Sequence, residues 1–376
     1  MDDEPIKAIV IDNGSGLMKV GFAGEESPSE IFPTIVGKQR MSVTGHASTT
    51  MKDVYVGDEA FCRRALLNLK YPIEHGVIQN WDYMEKIWDY SFRQLKASPN
   101  EHPVLLTESV MNPKVNREKM TQIMFETFEV PGMYLNVQTL LSLYGTGRTI
   151  GLVVNSGDGA TTVVPIYECS TVYHAVEKLN LGGRDLTDYL TRLLLEKGNW
   201  IHSNSQREIV REAKEKVCYV AKDYNEENHL LRSPLGESYE LPDGQTIYLG
   251  EELYKCPEAL FNPSLIIPGT FYEGIHLTTY GSIMKCHEDY RNDLFRNIVL
   301  TGGSTMFPGL RERLENEIVK LVPETTHVKV VASPERKHLA WLGGSILGEM
   351  ETFKNIMIPK EDYDENGPAL VHRKCF

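Results

Sequence analysis

The chain has 376 residues, 41% hydrophobic and 24% charged, with a formal net charge of −13. That length exceeds one ordinary core and points to two domains or lobes of ordinary globular composition. The acidic balance argues against general nucleic-acid binding, and no run of about eighteen apolar residues offers a membrane span.

The opening Met1–Glu4 is acidic and lacks the basic start and apolar core of a secretory signal, so a cytosolic address is expected. Asp2–Glu4 reads as a solvated tail or as a docking site for basic partners. Ile6–Asp12 is rich in β-branched residues and stops at Asn13-Gly14, a strand entering a tight turn, and Lys19–Phe22 reads as the return strand. The stretch 37–53 is polar and poorly periodic, which predicts an exposed mobile loop. Asn116–Phe128 carries apolar residues at helical spacing and is bounded by Pro131. Thr149–Val154, the turn Asn155–Gly159 and Thr161–Ile166 repeat the plan of strand, polar glycine turn and strand, which suggests two lobes related by an internal repeat. Ser205–Ala221 reads as a helix with Ser205 at its N-cap and Glu208 at the capping-box spacing. Strands alternating with helices place the chain in the α/β class.

Six cysteines, Cys62, Cys169, Cys218, Cys256, Cys286 and Cys375, are scattered without a C-x-x-C pair. They read as reduced, mostly buried thiols, with Cys375 expected at the surface.

Asp12-Asn13-Gly14-Ser15-Gly16 has the chemistry a phosphate needs. Glycines let backbone N–H groups approach oxyanions, Ser15 adds a hydroxyl, and Lys19 reaches terminal phosphates as a point charge. Asp12 can hold magnesium through its water shell, because that ion dehydrates reluctantly. An ordinary Asn-Gly hairpin is the alternative for this turn alone. The second turn, Ser156–Gly159, can cradle the same phosphates, and two matching turns are harder to explain as unrelated hairpins. A third turn, Thr301–Thr305, follows the apolar run 297–300 and suits an adenine or ribose. No P-loop motif is present.

With these turns stand YPIEHG at Tyr71–Gly76, HPVLLTE at His102–Glu108, GRDLTDY at Gly183–Tyr189, CPEALF at Cys256–Phe261, PERK at Pro334–Lys337 and VHRKCF at Val371–Phe376. On these long, ordered segments the chain resembles the actin family over nearly its whole length. The resemblance implies a two-lobed α/β fold of four subdomains with ATP or ADP and magnesium or calcium between the lobes. Residues 1–145 with 338–376 would form subdomains one and two, and 146–337 subdomains three and four. By matching position Gly14, Ser15, Gly16, Leu17, Lys19, Gly157, Asp158 and Gly159 would serve the phosphates, and Asp12 the metal through water. Arg211, Lys214, Glu215, Gly303, Met306, Phe307 and Lys337 would serve the adenosine. Glu215 would accept from the ribose hydroxyls, and Lys337 and Phe307 would pack on the base.

The resemblance also implies nucleotide-regulated assembly into or onto filaments in the cytoplasmic cytoskeleton. Self-association or other family subunits, and actin-binding proteins near Tyr144, Gly147, Thr149 and Leu347, would be the partners. Ile356 borders the same cleft, and Glu349 and Glu351 stand where the family has small polar residues. The loop 40–52 and the stretch Leu265–Gly274 are longer than the family's.

For ATP hydrolysis Gln138, Asn155 and Thr162 take the positions expected to handle the attacking water. Asn155 replaces an aspartate of the family and Thr162 a histidine, which predicts slow turnover. Those two departures also suit a second reading, a subunit of a chromatin or motor-activating complex, in the nucleus or cytoplasm, that binds ATP with little turnover. A sugar or acetate kinase of the same superfold would need a second substrate pocket with its own base, and no candidate for one is seen. A heat-shock-type chaperone would need a peptide-binding domain, for which the chain leaves no room.

Overall fold

The computed structural model describes residues 6–39, 52–198, 204–230, 237–240, 246–269 and 272–375. The chain divides into two compact units, residues 1–148 with 338–376, and residues 149–337.

The first unit is built on a six-stranded sheet. In chain order its labelled strands are β1 (Ile9–Asn13), β2 (Leu17–Phe22), β3 (Glu30–Pro33), β4 (Val104–Glu108) and β5 (Gly132–Val137). The spatial order is Ile358–Pro359, β5, β4, β1, β2, β3. The hairpin β1–β2 is antiparallel, while β1–β4 and β4–β5 are parallel. Parallel strands need coverage on both faces, and the residues of β1, β4 and β5 are accordingly all buried. Helices α1 (Trp81–Leu95), α2 (Lys114–Glu126) and α3 (Gln138–Tyr144) belong to this unit. The helix Leu339–Glu349 packs on α3 and β1, and its Trp341 is fully buried with its indole N–H donating to the Val10 carbonyl at 3.1 Å.

The second unit repeats the plan. β6 (Gly151–Ser156) and β7 (Thr161–Tyr167) form an antiparallel hairpin, β8 (Glu177–Leu179) pairs on β7, and β9 (Ile298–Thr301) lies parallel to β6. Helices α4 (Gly183–Glu196) and α5 (Asn204–Val217) pack on each other in this unit.

Several expectations change. α5 begins at Asn204, so Ser205 lies inside the helix rather than at its cap, and the helix stops at Val217, four residues short of Ala221. Tyr219 and Val220 instead pair outward: the Tyr219 amide donates to Leu253 and the Val220 amide to Pro308. Of the polar stretch 37–53, residues 40–51 lie outside those described. Gly37–Gln39 is strand rather than loop, because Val36–Gln39 is flanked by Val54–Val56 and Leu67–Lys70 over the small core of Ile35, Tyr55, Leu67 and Leu69. In 265–274, residues 270 and 271 lie outside those described, and Arg192 donates to the Leu265 carbonyl at 2.7 Å.

Cys375 is the clearest correction. Its side chain is buried, with the sulfur accepting the Leu135 amide at 3.4 Å and its carbonyl taking Arg117 Nη2 at 2.6 Å. Burial pushes the thiol up to about 11. The segment Val371–Lys374 is helical and packs on α2, so nearness to the chain end does not translate into exposure. Cys62 is the exposed cysteine. Brief maleimide labelling of the native protein should therefore modify Cys62 well before Cys375, read by peptide mass mapping. Labelling of Cys375 first would contradict its burial.

Candidate functional site

In the first unit the turn 14–16 joins β1 to β2 with Asp12 opposite Lys19 and Asn13 opposite Met18. Gly14 is required there: a Cβ on it would sit 2.2 Å from the Leu17 carbonyl oxygen. The Thr34 amide donates to the Gly16 carbonyl at 3.0 Å and its hydroxyl to that of Gly14 at 2.7 Å, so the turn's carbonyls are drawn toward Thr34.

Beneath this turn the polar side chains form a closed network. Asp12 is 1% exposed. Lys19 Nζ donates to its Oδ2 at 2.5 Å, while Thr107 Oγ1 and Gln138 Nε2 donate to its Oδ1 at 2.7 and 2.9 Å. Burial pushes the carboxyl up, but the Lys19 charge and the donated bonds outweigh it and hold Asp12 below its ordinary 3.8. Asn13 is locked from both ends, its side-chain amide donating to the Thr107 carbonyl at 2.8 Å and its Oδ1 accepting from Trp88 Nε1 at 2.9 Å. Gln138, the first residue of α3, lies against Asp12, Asn13 and Thr107.

In the second unit the turn 157–160 joins β6 to β7, with Asn155 opposite Thr162 and Ser156 opposite Thr161. Four residues separate the last paired positions of each hairpin, Asn13 from Met18 and Ser156 from Thr161, so Asn155 takes the place of Asp12 and Thr162 that of Lys19. Thr162 is buried and also lies opposite Lys178 on β8. Helix α4 holds this turn: the Gly183 and Arg184 amides donate to the Gly157 and Asp158 carbonyls, both at 2.9 Å. The Ser304 hydroxyl donates to the Gly157 carbonyl at 2.9 Å. The Asp158 carboxylate pairs with Arg184 at 3.0 Å, so its charge is already countered within the unit. Gly302, at φ +91°, brings the third turn close, since a Cβ there would stand 2.3 Å from the Ser156 carbonyl oxygen.

The residues expected to serve an adenosine divide. Lys214 is buried and donates to the Gly183 carbonyl at 2.6 Å, tying α5 to the start of α4. Arg211 pairs with the buried Glu208 at 2.8 Å, and Glu215 stands half-exposed 3.9 Å from Arg211. Gly303 has open space where a side chain would be, and Met306 is exposed beside it. Lys337 is half-buried and follows Arg336, whose carbonyl accepts the Gly302 amide at 3.1 Å. Phe307 is 6% exposed and packs in the apolar core of the second unit, while Met306 is the exposed apolar side chain of this turn.

Thr107, Trp88 and Ser304 escaped the sequence reading. Thr107 and Trp88 lie outside the glycine turns and Ser304 lies in the third of them, and each reaches its partner from a distant segment. The signal available for Thr107 was a lone hydroxyl closing an apolar strand.

Among the described residues no helix is long and apolar enough to cross a membrane. A family model described as Actin matches residues 3–376.

Proposed function

This chain belongs to the actin family and has its α/β fold, and from that premise we propose that it binds ATP with magnesium or calcium and assembles into or onto filaments under control of the nucleotide. The observation that carries this reading is the buried Asp12–Lys19 pair under a turn that excludes any side chain at Gly14, in a hairpin whose closing register recurs in the hairpin at Gly157. Lys19 and the backbone N–H groups of the turns 14–16 and 157–159 hold the phosphates. Arg211, Glu215, Gly303, Met306 and Lys337 serve the adenosine, with Lys214 bracing them. A divalent ion supplies charge neutralisation to the phosphates. Asp12 fits a hold on such an ion through water, because both its oxygens already accept bonds from the protein. Self-association or other family subunits in the cytoskeleton of the cytoplasm follow from the family as the expected partners and place.

The protein purified with ATP and magnesium and then desalted should retain about one nucleotide per chain, measured by ion exchange after acid release. It should also pellet as filaments. Nucleotide-free protein under these conditions would remove the reading.

A second reading, a subunit of a larger complex that binds ATP with little turnover, is favoured by Asn155 and Thr162 standing opposite each other where an acid and a base are missing. It predicts bound nucleotide without pelleting.

A further inference from the structure

We infer that Thr107 is a positioning residue for phosphoryl transfer, whose hydroxyl fixes which atom of the Gln138 amide is offered to a water molecule. The inference rests on the ATP reading above.

Thr107 is fully buried on β4. Its Oγ1 takes part in three hydrogen bonds. The Asn13 amide donates to it at 2.9 Å, Gln138 Nε2 meets it at 3.2 Å, and Asp12 Oδ1 lies 2.7 Å away. A hydroxyl has one proton, and here only Asp12 can take it: the Asn13 amide is a donor and an ionised carboxylate is an acceptor. Lys19 at 2.5 Å favours that ionised form. Toward Gln138, therefore, Thr107 can only accept.

The same pocket presents two more acceptors to Gln138, Asp12 Oδ1 at 2.9 Å and the Asn13 carbonyl at 3.2 Å. An amide turned over would set its own oxygen against a carboxylate, a carbonyl and a hydroxyl with no proton to spare. The amide is therefore locked with Nε2 inward, and the carbonyl Oε1 is the atom left to offer. An outward carbonyl takes one proton of a water and leaves a lone pair of its oxygen for attack, whereas an outward NH2 would occupy that lone pair. Asp12 and Gln138 thus form one unit joined by a hydroxyl, so a group set beneath the phosphate turn determines how Gln138 orients a water.

Thr107→Val keeps the shape and deletes the hydroxyl, while Thr107→Ser keeps the hydroxyl. Single-turnover phosphate release, at matched filament mass, should fall about tenfold in Thr107→Val, within the range that loss of orientation produces. ATP affinity, read by displacement of a fluorescent ATP analogue, should change less than about threefold, because Lys19 and the backbone cradle remain. Thr107→Ser should recover most of the rate. In a Gln138→Leu background Thr107→Val should slow release no further, since its effect passes through that amide. If the valine variant does not fold, Thr107→Ala in both backgrounds carries the same comparison. Wild-type release rates in the hydroxyl-free variants would overturn the inference, as would equal losses of rate and affinity or a full additional loss in the Gln138→Leu background. A wild-type protein that neither retains nor hydrolyses ATP would instead remove the reading beneath it.

Discussion

Replacing Lys19 with methionine is expected to empty the protein of nucleotide and to lower its folding stability by about 3–5 kcal/mol. The side chains of Lys19 and Asp12 are only 11% and 2% exposed, and the ion pair spans 2.5 Å. Methionine fills a similar volume but leaves the carboxylate with neutral donors only. The loss comes from that stranded charge more than from the attraction itself. It should therefore have a signature in pH. In the wild type the Asp12 carboxyl sits below its ordinary 3.8, so its contribution is complete above that value and is lost as pH falls through the lowered one. In Lys19→Met burial dominates and raises the carboxyl. The variant then gains stability on acidification toward 3.8, where the wild type does not. Adding Asp12→Asn to Lys19→Met should return most of the stability without returning the nucleotide. Denaturant unfolding across pH, with nucleotide content after desalting, reads both effects. Nucleotide retained at full occupancy by Lys19→Met, or a double variant no more stable than the single one, would defeat the assignment.

The second large effect concerns turnover. Asn155→Asp with Thr162→His should speed phosphate release by roughly one to three powers of ten, if each present residue costs about 1–2 kcal/mol of transition-state stabilisation. Asparagine can bond a metal-bound water through its carbonyl oxygen but brings no charge, and threonine cannot reach as far as an imidazole. Being directly opposite in the β6–β7 ladder, the two positions should act together, so the double variant need not equal the sum of the singles. Lys178, across β7 from Thr162, adds a constraint. Its positive charge favours the neutral form of a histidine at 162, the form able to accept a proton. Thr162 is 4% exposed, so the larger ring can strain its surroundings. Asn155→Asp alone conserves volume and carries the test where the histidine does not fit. Filament mass must be matched in every arm. Equal rates throughout would mean that neighbouring groups already supply what the two residues lack.

The turns were legible in the sequence because glycine next to a β-branched run has few other uses. Asp12 and Lys19 flank the first turn and Gly157 opens the second, positions that local pattern alone located. What local pattern could not supply was the partner from far along the chain. Thr107 meets Asp12 across 95 positions, and Ser304 meets Gly157 across 147. The same limit explains Cys375, where a terminal position suggested exposure and docking against Leu135 removed it. The likeness in register between the two hairpins lay in between. Both turns were visible, but the equivalence of Asn155 with Asp12 needed the strand pairing.

The first unit is discontinuous, and this bears on the order in which the chain is made. Residues 1–148 leave the ribosome long before 338–376, yet Trp341, Gly343 and Gly344 cover Val10, Leu105 and Leu141. Until residues 338–376 emerge, the face of β1 and β4 that receives them has no lid. The second unit, continuous from 149 to 337, can close first. A nascent chain halted before residue 338 therefore holds one finished body and one open apolar sheet, a state prone to association until 338–376 follow. Completion of the hairpin at Asp12 is in this sense a late event, although its residues precede the whole of the second unit in the chain.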